Sequence, residues 1–114
     1  MQVHASTEPG LVAVAISGRF DAHGIDRFDR EVIDLISAEH AHVIIDLADV
    51  EFMDSSALAG LVRALKATVA HHGSVTLVAV SDAARIILEL TRLDAVFATA
   101  PSMADARARV LTAA

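Results

Sequence analysis

A carboxylate and two neighbouring hydroxyls stand together at Asp54-Ser55-Ser56, where one kind of hydrophobic pattern gives way to another. Upstream, Val43-Ile44-Ile45-Asp46-Leu47 is a short β-branched run of the kind a buried parallel strand needs. Downstream, Leu58, Leu61, Val62, Leu65 and Val69 recur at helical spacing, with Arg63 and Lys66 on the opposite face. Asp54, Ser55 and Ser56 are therefore expected at a helix start. The first backbone N–H groups there lack intrahelical partners, and the helix dipole favours negative charge. Two kinds of chemistry suit such a place. The ordinary one is capping, for which Asp and Ser are preferred residues. The other is acceptance of a phosphate by a serine hydroxyl, since an anion is welcome at a helix N-terminus.

The run Ile44-Ile45-Asp46-Leu47-Ala48-Asp49-Val50-Glu51-Phe52-Met53-Asp54-Ser55-Ser56-Ala57-Leu58 closely resembles the signature of the STAS domain, specifically of bacterial anti-sigma-factor antagonists. Gly18-Arg19-Phe20-Asp21 resembles the family's Gly-x-apolar-Asp after its second strand, and Ile87 to Phe97 resembles its segment leading into the last strand. The resemblance implies that Ser56 is the phosphate acceptor. It also implies a partner-binding surface that includes Asp21, Asp54, Ser55, Ser56, Ala57, Leu58, Ala59 and Gly60, where small side chains would let a partner pack closely. Ala57 and Arg92 stand where the family usually has glycine; a left-handed helix cap at Arg92 would suit glycine better.

The elements that must position these residues follow from periodicity and turn chemistry. Val3 to Thr7 and Leu11 to Ser17 read as strands joined by Glu8-Pro9-Gly10, an antiparallel hairpin. Ile25, Phe28, Val32, Leu35 and Ile36 form the apolar stripe of an amphipathic helix. After the Val43–Leu47 strand comes a helix from about Ser56 to Ala70, closed by His71-His72-Gly73 with Gly73 as its cap. Ser74 to Val80 reads as a strand, and Ser81-Asp82 as the cap of a helix turning Ile86, Ile87 and Leu90 to the core. Val96 to Thr99 reads as a short edge strand. Met103, Ala106 and Val110 lie on one side of a last, Ala-rich helix. The order β-β-α-β-α-β-α-β-α predicts an α/β fold with a mixed sheet, an N-terminal antiparallel hairpin and about four helices. The STAS resemblance implies the same layout, and 114 residues make a single domain, 1–114.

Composition excludes several function classes. The formal charge of −6 opposes binding to a phosphate backbone, so direct contact with nucleic acid is not expected. The apolar runs are broken well short of the roughly 18 residues of a membrane span. No signal peptide is recognisable, and cytoplasm is the default location. Cysteine is absent, which removes thiol chemistry and disulfides. His71 and His72 are adjacent and would project about 100 degrees apart on a helix, so they do not chelate one ion. His4, His23, His40 and His42 lie in other segments without zinc spacing, and no metal is expected.

No catalytic apparatus is legible either. Ser56 with His23 and Asp54 or Asp21 might suggest a hydrolase, but the G-x-S-x-G elbow is missing. No Walker A or G-x-G-x-x-G loop is present to hold a nucleotide cofactor. Asp21, Asp49, Glu51 and Asp54 form an acidic set in sequence, while Asp46 is expected to support the backbone. The chain is read as a non-enzyme without cofactors. The resemblance implies an anti-sigma factor with serine kinase activity as partner and a serine phosphatase that reverses the modification. A phosphate-independent scaffold, in a stressosome or a lipid-transport ABC complex, is the alternative.

Overall fold

Alternation along each strand sends side chains to two different layers, and both are apolar. Val12, Val14 and Ile16, with Val43, Ile45, Leu47, Val75 and Leu77, build the larger core; Leu11, Ala13, Ile44, Val78 and Ala100 build a smaller one on the opposite side. A sheet buried on both faces needs helices on both. The computed structural model, which describes residues 1–112 and side chains through Val110, meets that need. Residues 113–114 of the expected single domain lie outside the described residues.

The elements run β1 (Gln2–Glu8), β2 (Leu11–Phe20), α1 (Ile25–Glu31), a 3₁₀ turn (Ile33–Leu35), β3 (His42–Met53), α2 (Ser55–Val69), β4 (Ser74–Val78), α3 (Asp82–Leu90), a second 3₁₀ turn (Leu93–Ala95), β5 (Ala98–Ala100) and α4 (Met103–Thr112). The five-stranded sheet has the order β1-β2-β3-β4-β5. β1 and β2 form the expected antiparallel hairpin, and the remaining neighbours are parallel. Residues of α1, α2 and α3 complete the larger core, while Ala106 and Val110 of α4 close the smaller one. No helix among the described residues is long and apolar enough to cross a membrane.

Several expectations are corrected. The strand expected over Val43–Leu47 continues to Met53, because β2 goes on pairing with it as far as Phe20↔Met53 through register shifts. The stripe from Ile25 to Ile36 is not one helix: α1 stops at Glu31, and Leu35 and Ile36 are only half-buried. On α3 the buried residues are Ala84 and Leu88, one turn apart, whereas Ile86 and Leu90 are exposed and Ile87 packs partly against the core. A helix carrying apolar residues at 86, 87, 88 and 90 does not announce its inner face, and packing on the sheet chooses it. The last strand is Ala98–Ala100 rather than Val96–Thr99, since the 3₁₀ turn draws the Val96 N–H to the Leu93 carbonyl.

Helix closures also differ from expectation. The left-handed residue after α2 is His72, with φ of 60°, and not Gly73. Gly73 is needed for a different reason: a Cβ there would run into the backbone carbonyl of Ala41. After α3, Arg92 takes the left-handed conformation, with φ of 61°.

α4 fastens the two outer strands. Arg107 donates two hydrogen bonds to Glu8 at the end of β1, at 3.1 and 2.8 Å, and Arg109 donates to the Thr99 carbonyl of β5 at 2.7 Å. The Arg107 hydrogen bonds hold the Glu8 carboxyl below its ordinary value of 4.5.

Two stability predictions follow from these contacts. A left-handed arginine carries a steric cost that glycine lacks, so Arg92→Gly should raise stability by about 0.5–1 kcal/mol after the extra chain entropy of glycine is set against it. Urea unfolding will show this as a higher midpoint at unchanged slope. A carboxyl with a depressed pKa stabilises the fold above its unfolded value and loses that contribution as pH falls through the folded one. Replacing Arg107 with Gln should therefore lower stability near neutral pH and flatten the acid dependence below pH 4.5, measured as unfolding free energy against pH.

Candidate functional site

At the carboxyl end of the sheet, Asp54 leaves β3 in an extended conformation, with φ of −119° and ψ of −174°, and α2 begins with the next residue. One carboxylate oxygen, Oδ1, accepts from the Ala57 N–H at 3.1 Å, which is the N-cap bond the sequence suggested. The other, Oδ2, accepts from the Ala22 N–H at 3.1 Å. The Asp54 N–H in turn donates to the Phe20 carbonyl at 3.4 Å. One side chain thus closes the helix and ties down the loop that follows β2.

That loop carries Asp21. Its Oδ1 accepts from the His23 N–H at 3.0 Å, and the Gly24 N–H donates to the Asp21 carbonyl at 3.0 Å, so the turn is wound around this residue. Oδ2 faces the Arg19 Nε at 3.5 Å, and the Arg19 guanidinium lies over the Phe52 ring, 4.0 Å from its centroid. α3 is anchored at the same end of the sheet: the Ser81 hydroxyl caps it, accepting from the Ala84 N–H at 3.2 Å, and donates to the Val50 carbonyl of β3 at 2.7 Å.

The expected site residues separate into two groups. Ser55 and Ala59 are exposed and Ser56 is half-exposed; Asp54 immediately precedes them, and its bond to Ala22 ties in the loop that carries Asp21. Ala57, Leu58 and Gly60 point inward and are buried. The small size of Gly60 serves the contact between α1 and α2, because a Cβ there would lie 2.6 Å from Ile25 Cδ1 and 3.4 Å from the Phe28 ring. The close approach of a partner expected over Ala57 and Gly60 is thus revised: of the small residues, Ala59 is the one on the surface.

Of the acidic set, Asp21 and Asp54 belong to two segments joined by the Ala22–Asp54 bond. Asp49 and Glu51 stand exposed along β3, and Asp46 accepts from the Ala48 N–H at 2.9 Å, the backbone role expected of it. The histidines do not converge: no group of three or more candidate ligands for a metal ion exists among the described residues. His42 meets the Ser74 hydroxyl at 2.8 Å, but these residues open β3 and β4, at the far end of the sheet from Ser56. Sequence reasoning missed Arg19 and Phe52 as neighbours of the site. Their types were legible, but their pairing depends on register.

The model of the STAS domain family matches residues 2–106. No curated protein matches by sequence. Among solved structures, an anti-sigma factor antagonist from Mycobacterium paratuberculosis is 26% identical with a TM-score of 0.82, the match covering 96% of this chain and 92% of that one. The anti-sigma factor antagonist SpoIIAA in its unphosphorylated form is 18% identical with a TM-score of 0.85 and 97% of each chain covered. The phosphorylated form of SpoIIAA from Bacillus is 19% identical with a TM-score of 0.76, covering 96% of this chain and 99% of the other.

The double use of Asp54 is testable. Asp54→Ala removes both bonds and should cost about 1–2 kcal/mol of stability. Asp54→Asn accepts through one terminal atom only, so its stability should fall between alanine and wild type. Amide hydrogen exchange should then quicken at Ala22 or at Ala57, whichever bond is given up; an alanine variant as stable as wild type would show that neither bond contributes.

Proposed function

The chain belongs to the STAS domain family, and from that membership we propose that it is an anti-sigma-factor antagonist switched by phosphorylation of Ser56. Unmodified, it binds an anti-sigma factor and so releases a sigma factor, by competition between proteins rather than by catalysis. The anti-sigma factor is itself the serine kinase, and a serine phosphatase restores the binding form. Such a cycle runs in the cytoplasm, with contact to DNA left to the sigma factor. The observation that carries the reading is the placement of Ser56, half-exposed in the first turn of α2, beside a loop bound to the same Asp54 that caps the helix.

The partner surface of this reading consists of Asp21, Asp54, Ser55, Ser56 and Ala59. Ala57, Leu58 and Gly60 contribute to it by fixing where α2 begins and how it packs. Phosphorylation turns a neutral hydroxyl into a group of about −1.5 to −2 charge. The helix N-terminus returns about 0.3–1 kcal/mol of stabilisation to such an anion, so the free protein keeps its fold. Across an interface, two like unit charges about 6 Å apart repel by roughly 0.7–3 kcal/mol for effective dielectrics of about 80 to 20. About 1.4 kcal/mol is tenfold in affinity, so a few such contacts to acidic partner groups release the complex.

A pull-down from native lysate, with and without ATP, identifies the partner, and mass spectrometry of the product locates the phosphate. One phosphate on Ser56 is expected. Modification confined to Ser55 would move the acceptor by one residue; a partner that binds without ever modifying the chain would favour the phosphate-independent scaffold. In calorimetry, Ser56→Ala should bind the anti-sigma factor like wild type, whereas Ser56→Glu should bind at least about tenfold more weakly with unchanged circular dichroism. Equal affinities for all three proteins would exclude a charge switch at this position.

A further inference from the structure

The pairing of β2 with β3 slips near its end. Ser17 lies opposite Asp49 and Gly18 opposite Val50, but Arg19 lies opposite Phe52, so Glu51 is passed over. Bulges of this kind re-aim a side chain next to functional sites. Gly18 makes the turn possible with a φ of 81°, a conformation that costs glycine nothing. Without the slip Arg19 would face the Glu51 carboxylate. With it, the guanidinium lies over an aromatic ring at 4.0 Å, well inside the roughly 6 Å reach of a cation–π contact.

The contact with the ring restrains the guanidinium, whose Nε faces Asp21 Oδ2 at 3.5 Å while the His23 N–H holds Oδ1 at 3.0 Å. Each oxygen thus has its own neighbour, and the Asp21 side chain is still 15% exposed. It borders an open depression of about 480 Å³ shared with Arg19, His23 and Arg27, through which an approaching group can reach it. We propose that Arg19, seated on Phe52, is a positioning residue that sets the orientation of the Asp21 carboxylate for the partner. The inference rests on the partner-switching reading of this loop. Arg19 is largely solvent-exposed, and exposed ion pairs contribute little to stability, so its effect belongs to recognition more than to folding.

The test is a double-mutant cycle read in phosphorylation kinetics with the anti-sigma kinase captured by the pull-down. Arg19→Met and Phe52→Leu should each lower kcat/KM by about threefold to tenfold, with urea midpoints close to wild type. Arg19→Lys, which keeps the charge but not the guanidinium, should recover part of the loss. In an Asp21→Ala background, Arg19→Met should have no further effect, since Arg19 acts through that carboxylate. Losses that multiply would overturn the proposal by showing that Arg19 meets the partner itself, as would wild-type kinetics for Arg19→Met when Asp21→Ala is impaired. A partner-free measurement separates this from the wider reading. In the free protein, Arg19→Met should speed amide exchange at His23 without changing it at Ala57. If Asp21→Ala leaves the kinetics unchanged, the partner reading of the loop fails; faster exchange at His23 then still supports the positioning role, and unchanged exchange overturns it.

Discussion

The arrangement of the carboxyl end of the sheet depends on one carboxylate using both of its oxygens. Asp54 closes α2 through the Ala57 N–H and holds the β2–α1 loop through the Ala22 N–H, each at 3.1 Å. An ionised carboxylate only accepts, and its two separate oxygens let Asp54 take one N–H from its own helix and another from a different segment. The helix start, the serine pair and the Asp21 turn therefore form one unit. Ser81 does a comparable job for α3, accepting from its own helix and donating to the Val50 carbonyl. α2 and α3 are thus both fastened at their N-termini, where the dipoles are positive.

This construction suits a switch that acts without refolding. Both faces of the sheet are packed, and the residues behind the site are closed: Ala57 is fully buried, and the space above Gly60 is filled by Ile25 and Phe28. On the proposed reading, a charge added at Ser56 meets a packed support, and its effect is felt outward, at the partner. On that reading the two states are those of the complex, bound or free, rather than of the chain.

What the sequence disclosed and what it withheld divide along the range of the interactions. The Asp54 cap, the Ser81 cap and the antiparallel hairpin rest on contacts within a few residues, and they were legible from residue types alone. The second bond of Asp54, to Ala22, spans 32 positions and depends on β2 and β3 lying side by side. The contact of Arg19 with Phe52 depends further on which residue the ladder skips. A one-residue slip reverses which side chains face each other, and no local pattern encodes it. α3 failed for another reason: apolar residues at 86, 87, 88 and 90 surround too much of the helix, and the sheet selected Ala84 and Leu88. Gly73 was marked as special for the right residue but the wrong cause, since the left-handed conformation belongs to His72 and the glycine makes room for the Ala41 carbonyl.

Sheet edges offer unpaired backbone groups on which a foreign strand can grow. β5 limits that invitation by its length of three residues, and one of its carbonyls already accepts from Arg109. At the opposite margin, the end of β1 is gripped by Arg107 through Glu8. Both arginines belong to α4, the helix that also covers Leu11, Ala13 and Ile44. Detachment of this one helix uncovers a core face and loosens both margins in a single event. Protection of both sheet margins thus rests on the last helix, far in sequence from the serine pair at the start of α2.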